Sequence, residues 1–317
     1  MGKAHIIAGI DIGGTSVKIG LFDEQKKMVC NSEIPTRKAL GFESVVNDIY
    51  KGIDNLLMDL NQTSYELNAI GVGVPGIVNG EGIVNHGANL GADRIELYKL
   101  LKDRFGDCSI KIANDANTAA LGEVAYGAAK GFENVIMVTV GTGIGAGIII
   151  NGKIYAGKMG LAGEIGHMIV NDNENSPCGC GRFGCLEQYA SATGITRLAK
   201  KMFNETVTTK EIFQLSERGN ELAQNVLAIS ADYLGKALAN AATAIEPEAF
   251  IIGGGVANAG ESYRRKVERA YKKYALLQTK HIPILLAELG NKAGMYGAME
   301  MSAEEDRDDR KQNDIAI

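Results

Sequence analysis

Apolar and polar positions follow two rhythms along this chain, and the changes of rhythm mark out its elements. Ile6 to Ile12, Val17 to Asp23 and Met28 to Ile34 are short apolar, β-branched runs separated by Gly13-Gly14 and by Asp23-Glu24-Gln25. This spacing predicts three strands joined by tight turns, an antiparallel start to a mixed sheet. From Phe42 to Leu60 the apolar residues return at helical spacing. A strand follows from Leu67 to Val74, closed by Pro75-Gly76, then a helix near Ile95 to Phe105 and a strand from Ser109 to Ala113. Asn114-Asp115-Ala116-Asn117 opens a small-residue helix that runs through Ala120, and Val135 to Val140 begins a second set of strands. Helices are predicted again near Thr193 to Phe203 and over Glu221 to Ile245. In the latter, Leu222, Val226, Tyr233, Leu234, Leu238 and Ala241 recur at helical spacing, as in a long core helix without chemistry of its own. Ala249 to Ile252 reads as a strand that ends in Gly253-Gly254-Gly255, and the charged stretch from Glu304 to Asp314 reads as a solvated tail. The alternation of strands and helices predicts an α/β protein.

Two of these strand pairs echo each other. Ile10-Asp11-Ile12-Gly13-Gly14-Thr15 followed by Val17 to Phe22 resembles Val138-Thr139-Val140-Gly141-Thr142-Gly143 followed by Ala146 to Ile150. Each is strand, glycine turn, strand, so the echo reads either as a duplicated lobe or as a chance likeness of glycine-rich turns. A chain of 317 residues suits two domains, each large enough to fold without staples. The lobe boundary is placed at residues 116–117.

Composition narrows the classes. Lys plus Arg number 33 against 38 for Asp plus Glu, a net charge of −5 that lacks a polyelectrolyte signature and argues against nucleic acid as the main partner. No apolar stretch is long enough to span a bilayer; Ile148-Ile149-Ile150 ends at once in Asn151-Gly152. The start, Met1 to Ile7, enters an apolar run without a basic and apolar leader, which predicts a cytoplasmic protein. Of five cysteines, Cys30 and Cys108 are isolated, as suits a reducing compartment.

The other three cysteines carry chemistry. His167 in Gly163-Glu164-Ile165-Gly166-His167 is followed by Cys178-Gly179-Cys180-Gly181-Arg182-Phe183-Gly184-Cys185-Leu186-Glu187. One imidazole and three thiols, with glycines that let the backbone fold back, make a tetrahedral zinc set: His167, Cys178, Cys180 and Cys185. Cys178 and Cys180 are too close in sequence to pair well as a disulfide. Glu164 and Glu187 flank this loop.

Three glycine loops end strands. Asp11-Ile12-Gly13-Gly14-Thr15 places an acid before a tight turn whose N–H groups can approach a polyphosphate, with the acid facing magnesium. Gly141-Thr142-Gly143 and Gly253-Gly254-Gly255 have the same form, and together the three suggest a nucleotide site. Gly141, Gly143 and Ala146 match the spacing of a dinucleotide-binding fingerprint, but the residues after them are glycine and β-branched and run into Asn151-Gly152, not into a helix. No Gly-Lys-Ser/Thr follows either loop, so neither is a Walker loop. Asn114-Asp115, at the end of an apolar strand, is either a helix cap or a carboxylate projecting from the strand end.

These residues resemble the ROK sugar kinases of the actin/hexokinase/Hsp70 superfamily. The likeness runs from Asp11-Ile12-Gly13-Gly14-Thr15 through Gly73-Val74-Pro75-Gly76, Asn114-Asp115-Ala116-Asn117 and Gly141 to Gly145, to Gly253-Gly254-Gly255, and the Gly163–His167 segment with the Cys-Gly-Cys-Gly-x-x-Gly-Cys-x-Glu loop is the family's signature. The resemblance implies a two-lobed actin/hexokinase-like fold, a duplicated ribonuclease H-like architecture with mixed sheets and a zinc-binding loop at 167–187. It implies a smaller lobe of residues 1–116 completed by a helix within 293–317, and a larger lobe of residues 117–292. It makes Asp115 the catalytic base and gives Asn89, Asn114, Glu164, His167 and Glu187 to the sugar hydroxyls, with His167 serving both metal and sugar. It places ATP and magnesium among Asp11, Gly13, Gly14, Thr15, Lys18, Gly141, Thr142, Gly143, Gly253, Gly254 and Gly255. The activity implied is phosphorylation of glucose by ATP in a cytoplasmic homodimer. N-acetylglucosamine, N-acetylmannosamine, mannose and fructose are the alternative sugars. Many relatives have Pro-Gly-Trp after the Asn-Leu pair, where this chain has Gly91-Ala92-Asp93 and no Trp at all, which leaves the sugar-covering contacts and the choice of sugar open. The family also holds transcriptional repressors with an N-terminal helix-turn-helix domain, for which the five residues before the first strand leave no room.

Overall fold

A computed structural model describes residues 4–60, 65–87 and 90–303 of the chain. The opening apolar runs form β1 (Ala4–Ile12), β2 (Ser16–Phe22) and β3 (Met28–Pro35), followed by α1 (Phe42–Asp59) and β4 (Tyr65–Val74). The short strands β5 (Ile77–Val78), β6 (Val84–Gly87) and β7 (Ala92–Ile95) make a small antiparallel sheet of their own. Then come α2 (Leu97–Phe105), β8 (Ser109–Asn114) and α3 (Asp115–Tyr126). Ile95 pairs with Val84 across the small sheet, so α2 starts at Leu97, two residues later than its periodicity suggests.

The remaining elements are β9 (Val135–Val140), β10 (Ile144–Ile150), β11 (Lys153–Ile154), α4 (Glu187–Ala190), α5 (Ala192–Phe203), α6 (Thr209–Glu217), α7 (Glu221–Ile245), β12 (Ala249–Gly253), α8 (Gly260–Tyr274), β13 (Ile284–Leu286) and α9 (Ala293–Ala303). Two five-stranded sheets result, with orders β3-β2-β1-β4-β8 and β11-β10-β9-β12-β13. The orders correspond strand for strand. In each, a strand neighbours the next strand in sequence on one side and pairs in parallel with a later strand on the other. The glycine echo in the sequence is therefore a duplicated topology.

Cα packing divides the chain into two units: residues 1–131, 147–162 and 291–317, and residues 132–146 and 163–290. The first unit continues past 116 because α3 packs with α9 and β4. Residues 147–162 join it because a Cβ on Gly147 would lie 2.4 Å from the Ala116 carbonyl oxygen, an approach only glycine permits.

Within the first sheet the two faces are built from different residues. Ile6, Ile10, Ile12, Ile19, Ile70 and Val72 are fully buried and pack with Val45, Val46, Ile49 and Ile53 of α1, which forms the main apolar core. The opposite face is small. A Cβ on Gly71 would lie 1.7 Å from the Ala298 carbonyl oxygen, and one on Gly297 would lie 1.7 Å from that of Thr118, so α9, α3 and the sheet meet backbone to backbone. That face also carries Asp11.

In the second unit α7 is the central helix, capped by Asn220, with Val226, Ala231, Leu234 and Leu238 buried; Leu222, in phase with them, is exposed near the helix start. α8 buries Tyr263, Val267, Ala270 and Tyr271, an i, i+4, i+7, i+8 stripe inside an otherwise strongly basic sequence. α6, held by a Thr208–Glu211 capping box, buries only Ile212 within its span. Among the described residues no helix is long and apolar enough to cross a membrane.

Candidate active site and metal centre

Register sets the acidic end of the first sheet. Asp11 lies opposite Gly73 of β4, and Gly73 opposite Ala113 of β8, so the three share one row across the sheet. Two residues beyond Ala113 the chain turns into α3 at Asp115. Asn114 is the N-cap: its Oδ1 accepts the Ala116 and Asn117 N–H groups at 2.9 and 3.3 Å, and its Nδ2 donates to the Gly76 carbonyl oxygen at 3.1 Å. The two readings of the Asn-Asp pair thus fall on different residues. Asn114 caps, and Asp115 occupies the first helical position, where its Oδ1 accepts the Ala116 N–H at 2.9 Å.

Burial, and then the negative charge of Asp11, raise the Asp115 carboxyl from the ordinary aspartate range to about 6. Asp11 itself sits opposite Lys18 across the β1–β2 hairpin, with Oδ2 3.2 Å from Lys18 Nζ. A Cβ on Gly294 would touch the Asp11 carboxyl carbon at 2.8 Å, so the start of α9 closes tightly over this acid. The hairpin turn is held by the Gly13 N–H on the Ser16 carbonyl oxygen at 2.8 Å and by the Thr36 hydroxyl on the Gly13 carbonyl oxygen at 2.7 Å, while Thr15 is exposed.

The second unit holds the metal candidates. The ligand atoms of His167, Cys178, Cys180 and Cys185 all lie within 4.8 Å of one another. His167 Nδ1 is 3.8 Å from Cys178 Sγ, and the sulfurs of Cys180 and Cys185 are 3.6 Å apart. Tetrahedral ligands at zinc–sulfur and zinc–nitrogen bond lengths stand about 3.6–3.8 Å apart, so the donor set fits a metal ion. The backbone explains the fold of the loop. Cys178 N–H donates to the Arg182 carbonyl oxygen at 2.7 Å and Gly181 N–H to that of Cys178 at 2.9 Å, with Gly181 at φ +83°. Gly184, at φ +74°, presses against the Asn171 carbonyl oxygen, where a Cβ would lie 1.9 Å away.

A polar network braces this loop. Glu174 takes the Arg197 guanidinium at 2.7 Å, the Tyr189 hydroxyl at 2.6 Å and the Ser176 N–H at 3.0 Å. The Arg197 contact holds the Glu174 carboxyl well below the usual range. Lys236 of α7 donates to the Val170 carbonyl oxygen at 3.0 Å. Nothing in the local sequence around 174 or 197 signals this brace.

The second ring nitrogen of His167, Nε2, lies 4.0 Å from Glu164 Oε2, and Glu164 is exposed. One imidazole thus joins the metal set on one side and an exposed carboxylate on the other. Glu187 opens α4 two residues after Cys185, and its Oε2 accepts the Ile144 N–H at 3.0 Å. A Cβ on Gly143 would lie 2.3 Å from that oxygen, so Gly143 makes room for Glu187. Ile144 starts β10, and no helix follows the Gly141 turn. Gly254, at φ +81°, lies against the Val140 carbonyl oxygen, which brings the third glycine loop to the end of β9. Asn89 lies outside the described residues, as does the charged stretch from residue 304.

The model of the ROK family matches residues 7–305. The chain belongs to the ROK family. This ROK chain is 36% identical over 305 residues to the glucokinase of Halalkalibacterium halodurans, a match that covers 91% of this chain and 92% of that one. Among solved structures it is similar to the ROK hexokinase from Thermus thermophilus, with a TM-score of 0.86 and 33% identity over 96% of this chain and 100% of the other. A ROK family glucokinase from Streptomyces griseus, in complex with glucose and AMPPNP, matches with a TM-score of 0.77 and 30% identity over 94% and 99% of the two chains. The duplicated hexokinase-like α/β fold expected from the sequence is thus the fold of this ROK protein.

Proposed function

We propose that this protein is a kinase that transfers the γ-phosphoryl group of ATP to the 6-hydroxyl of glucose. The observation that carries the reading is Asp115, a carboxylate lifted to about 6 by burial and by Asp11, which suits it to accept a proton near neutral pH. The hydroxyl oxygen attacks the γ-phosphorus, its proton passes to the Asp115 carboxylate, and the bond to the bridging oxygen breaks to release ADP. The Ala116 N–H on Asp115 Oδ1 orients that carboxylate. The glucokinase relative and the glucose and AMPPNP complex of a similar protein support the choice of both substrates.

In the first unit, Asn114 contributes one hydroxyl contact through its amide while its oxygen stays committed to capping. In the second, Glu164, His167 and Glu187 hold hydroxyls. Asn89, outside the described residues, is assigned to the same task. His167, Cys178, Cys180 and Cys185 would hold a structural zinc, which would brace the loop; His167 Nδ1 already faces the Cys178 sulfur, and its Nε2 stands toward Glu164, where the sugar is assigned. Asp11 is the residue to hold magnesium, which when bound neutralises phosphate charge, and Lys18 stands beside it as a phosphate partner. The turns at Gly13, Gly14 and Thr15, at Gly141 to Gly143 and at Gly253 to Gly255 present backbone N–H groups to ATP. The reading includes a homodimer in the cytoplasm.

A coupled ADP-release assay across glucose, N-acetylglucosamine, N-acetylmannosamine, mannose and fructose tests the proposal. Glucose is expected to give the highest kcat/KM and to yield glucose 6-phosphate. ADP release with none of them, or a clear preference for another sugar, overturns it.

A further inference from the structure

A trans peptide is planar and points its C=O and N–H in opposite directions. In the Gly141-Thr142-Gly143 turn, the Gly141 carbonyl oxygen accepts the Ala192 N–H at 2.8 Å, and the Thr142 carbonyl oxygen accepts the Thr193 hydroxyl at 2.8 Å. Both carbonyls therefore face the first turn of α5. The N–H groups of Thr142 and Gly143 share those two peptide planes and face the other way. Two successive N–H groups turned to one side of a tight loop make an anion-accepting concavity. We propose that Thr193 is a positioning residue for phosphoryl transfer, its hydroxyl holding the Thr142 peptide so that these N–H groups present themselves to the phosphates of the nucleotide. The proposal rests on the reading of this turn as a phosphate loop.

The support on which Thr193 stands is stiff. Ser191 is fully buried; its hydroxyl donates to the Glu187 carbonyl oxygen at 2.7 Å and accepts the Gly194 N–H at 2.9 Å. A Cβ on Gly194 would lie 2.7 Å from that same Glu187 carbonyl oxygen, so the α4–α5 corner has no slack. The Ile144 N–H bond to Glu187 ties the far end of the turn to this corner. Between them, Glu187, Ala192 and Thr193 hold the turn at three points. The Ala192 bond is backbone to backbone and depends on no side chain, and Glu187 is assigned to the sugar. Thr193 is the side chain whose role is confined to the nucleotide side, and it is exposed, so replacing it costs little packing.

Thr193→Val removes the donor at nearly constant volume, and Thr193→Ser keeps it. Thr193→Val is expected to raise the KM for ATP and the calorimetric Kd for AMPPNP by about 2- to 13-fold, the effect of one hydrogen bond. The KM for glucose, the metal content and the melting temperature should stay at wild-type values, and Thr193→Ser should bind nucleotide within about twofold of wild type. Unchanged nucleotide binding in Thr193→Val overturns the proposal. So does equal impairment in both variants, or a lowered melting temperature with both substrates weakened alike, which marks a merely structural role. Failure of the sugar-kinase reading looks different: wild type then phosphorylates no hexose, while calorimetry with AMPPNP still reads the Thr193 effect. A wild-type protein that binds no AMPPNP overturns both.

Discussion

The two five-stranded sheets share one strand order but place their chemistry in different ways. In the first, Asp11 lies opposite Gly73; in the second, Thr139 takes the corresponding place opposite Gly253. The first sheet carries the groups proposed for the chemistry on its own strand ends: Asp11 and Lys18 across one hairpin, and Asp115 one step past β8. The second has a neutral hydroxyl in that row, which donates to the Gly145 carbonyl oxygen at 3.2 Å. The groups proposed for sugar binding there, Glu164, His167 and Glu187, come instead from a segment between β11 and α5 whose regular structure is limited to a short 3-10 turn and α4. A carboxylate on a strand end is oriented by sheet pairing and a helix cap, whereas groups on an irregular loop need another source of order. The Glu174–Arg197 brace supplies it, and a metal ion held by His167, Cys178, Cys180 and Cys185 would add to it. Duplication thus provides the scaffold twice, and each copy uses a different means of holding its side chains.

The sharpest test of the first half is Asp115→Asn, which keeps the helix-start hydrogen bond but cannot accept a proton. Turnover is expected to fall by about 10²- to 10⁴-fold, with glucose affinity by calorimetry changed far less. Near-normal turnover would reduce Asp115 to a structural residue of the helix start.

The second half should break differently. Cys180→Ser is expected to lose the bound metal, read by elemental analysis as about one zinc per chain in wild type, and to weaken glucose binding by about 10- to 100-fold. Its residual activity should keep the pH dependence of wild type, because the acid row of the first sheet includes no metal ligand. A metal-free protein with full sugar affinity contradicts the contrast between the halves, as does a shifted pH profile.

The smallest effect is the pH profile itself. If Asp115 is the base proposed above, it acts as carboxylate, and because its folded value is raised to about 6 the active form is lost as pH falls through that point. Activity should be level above pH 7 and about tenfold lower at pH 5. A profile that stays flat down to pH 5 would show that burial and Asp11 do not lift this group.

Much of this was legible in the residues. Long periodic elements such as α1 and α7, the hairpin strands and the cysteine spacing follow from local patterning, because burial on one face imprints its period on the chain. α6 and α8 left weaker traces: the first buries little, and the second hides a four-residue apolar stripe among basic residues. The short strand β13, three residues long, is set by its parallel pairing to β12 and not by its own composition.

The sequence alone determined the family, the His/Cys cluster that could hold a metal, the three glycine turns and the presence of an acid at the end of β8, since each is a residue type at a fixed spacing. The tertiary structure decided what lies between distant segments. It divided the roles of Asn114 and Asp115, set Asp11 beside Asp115, brought α9 back onto the first sheet, and joined Glu187 and Thr193 to the Gly141 turn. Those relations depend on backbone approaches at glycines such as Gly71, Gly143 and Gly297 and on register across parallel strands. Contacts between residues tens to hundreds of positions apart leave no period in the local sequence to read.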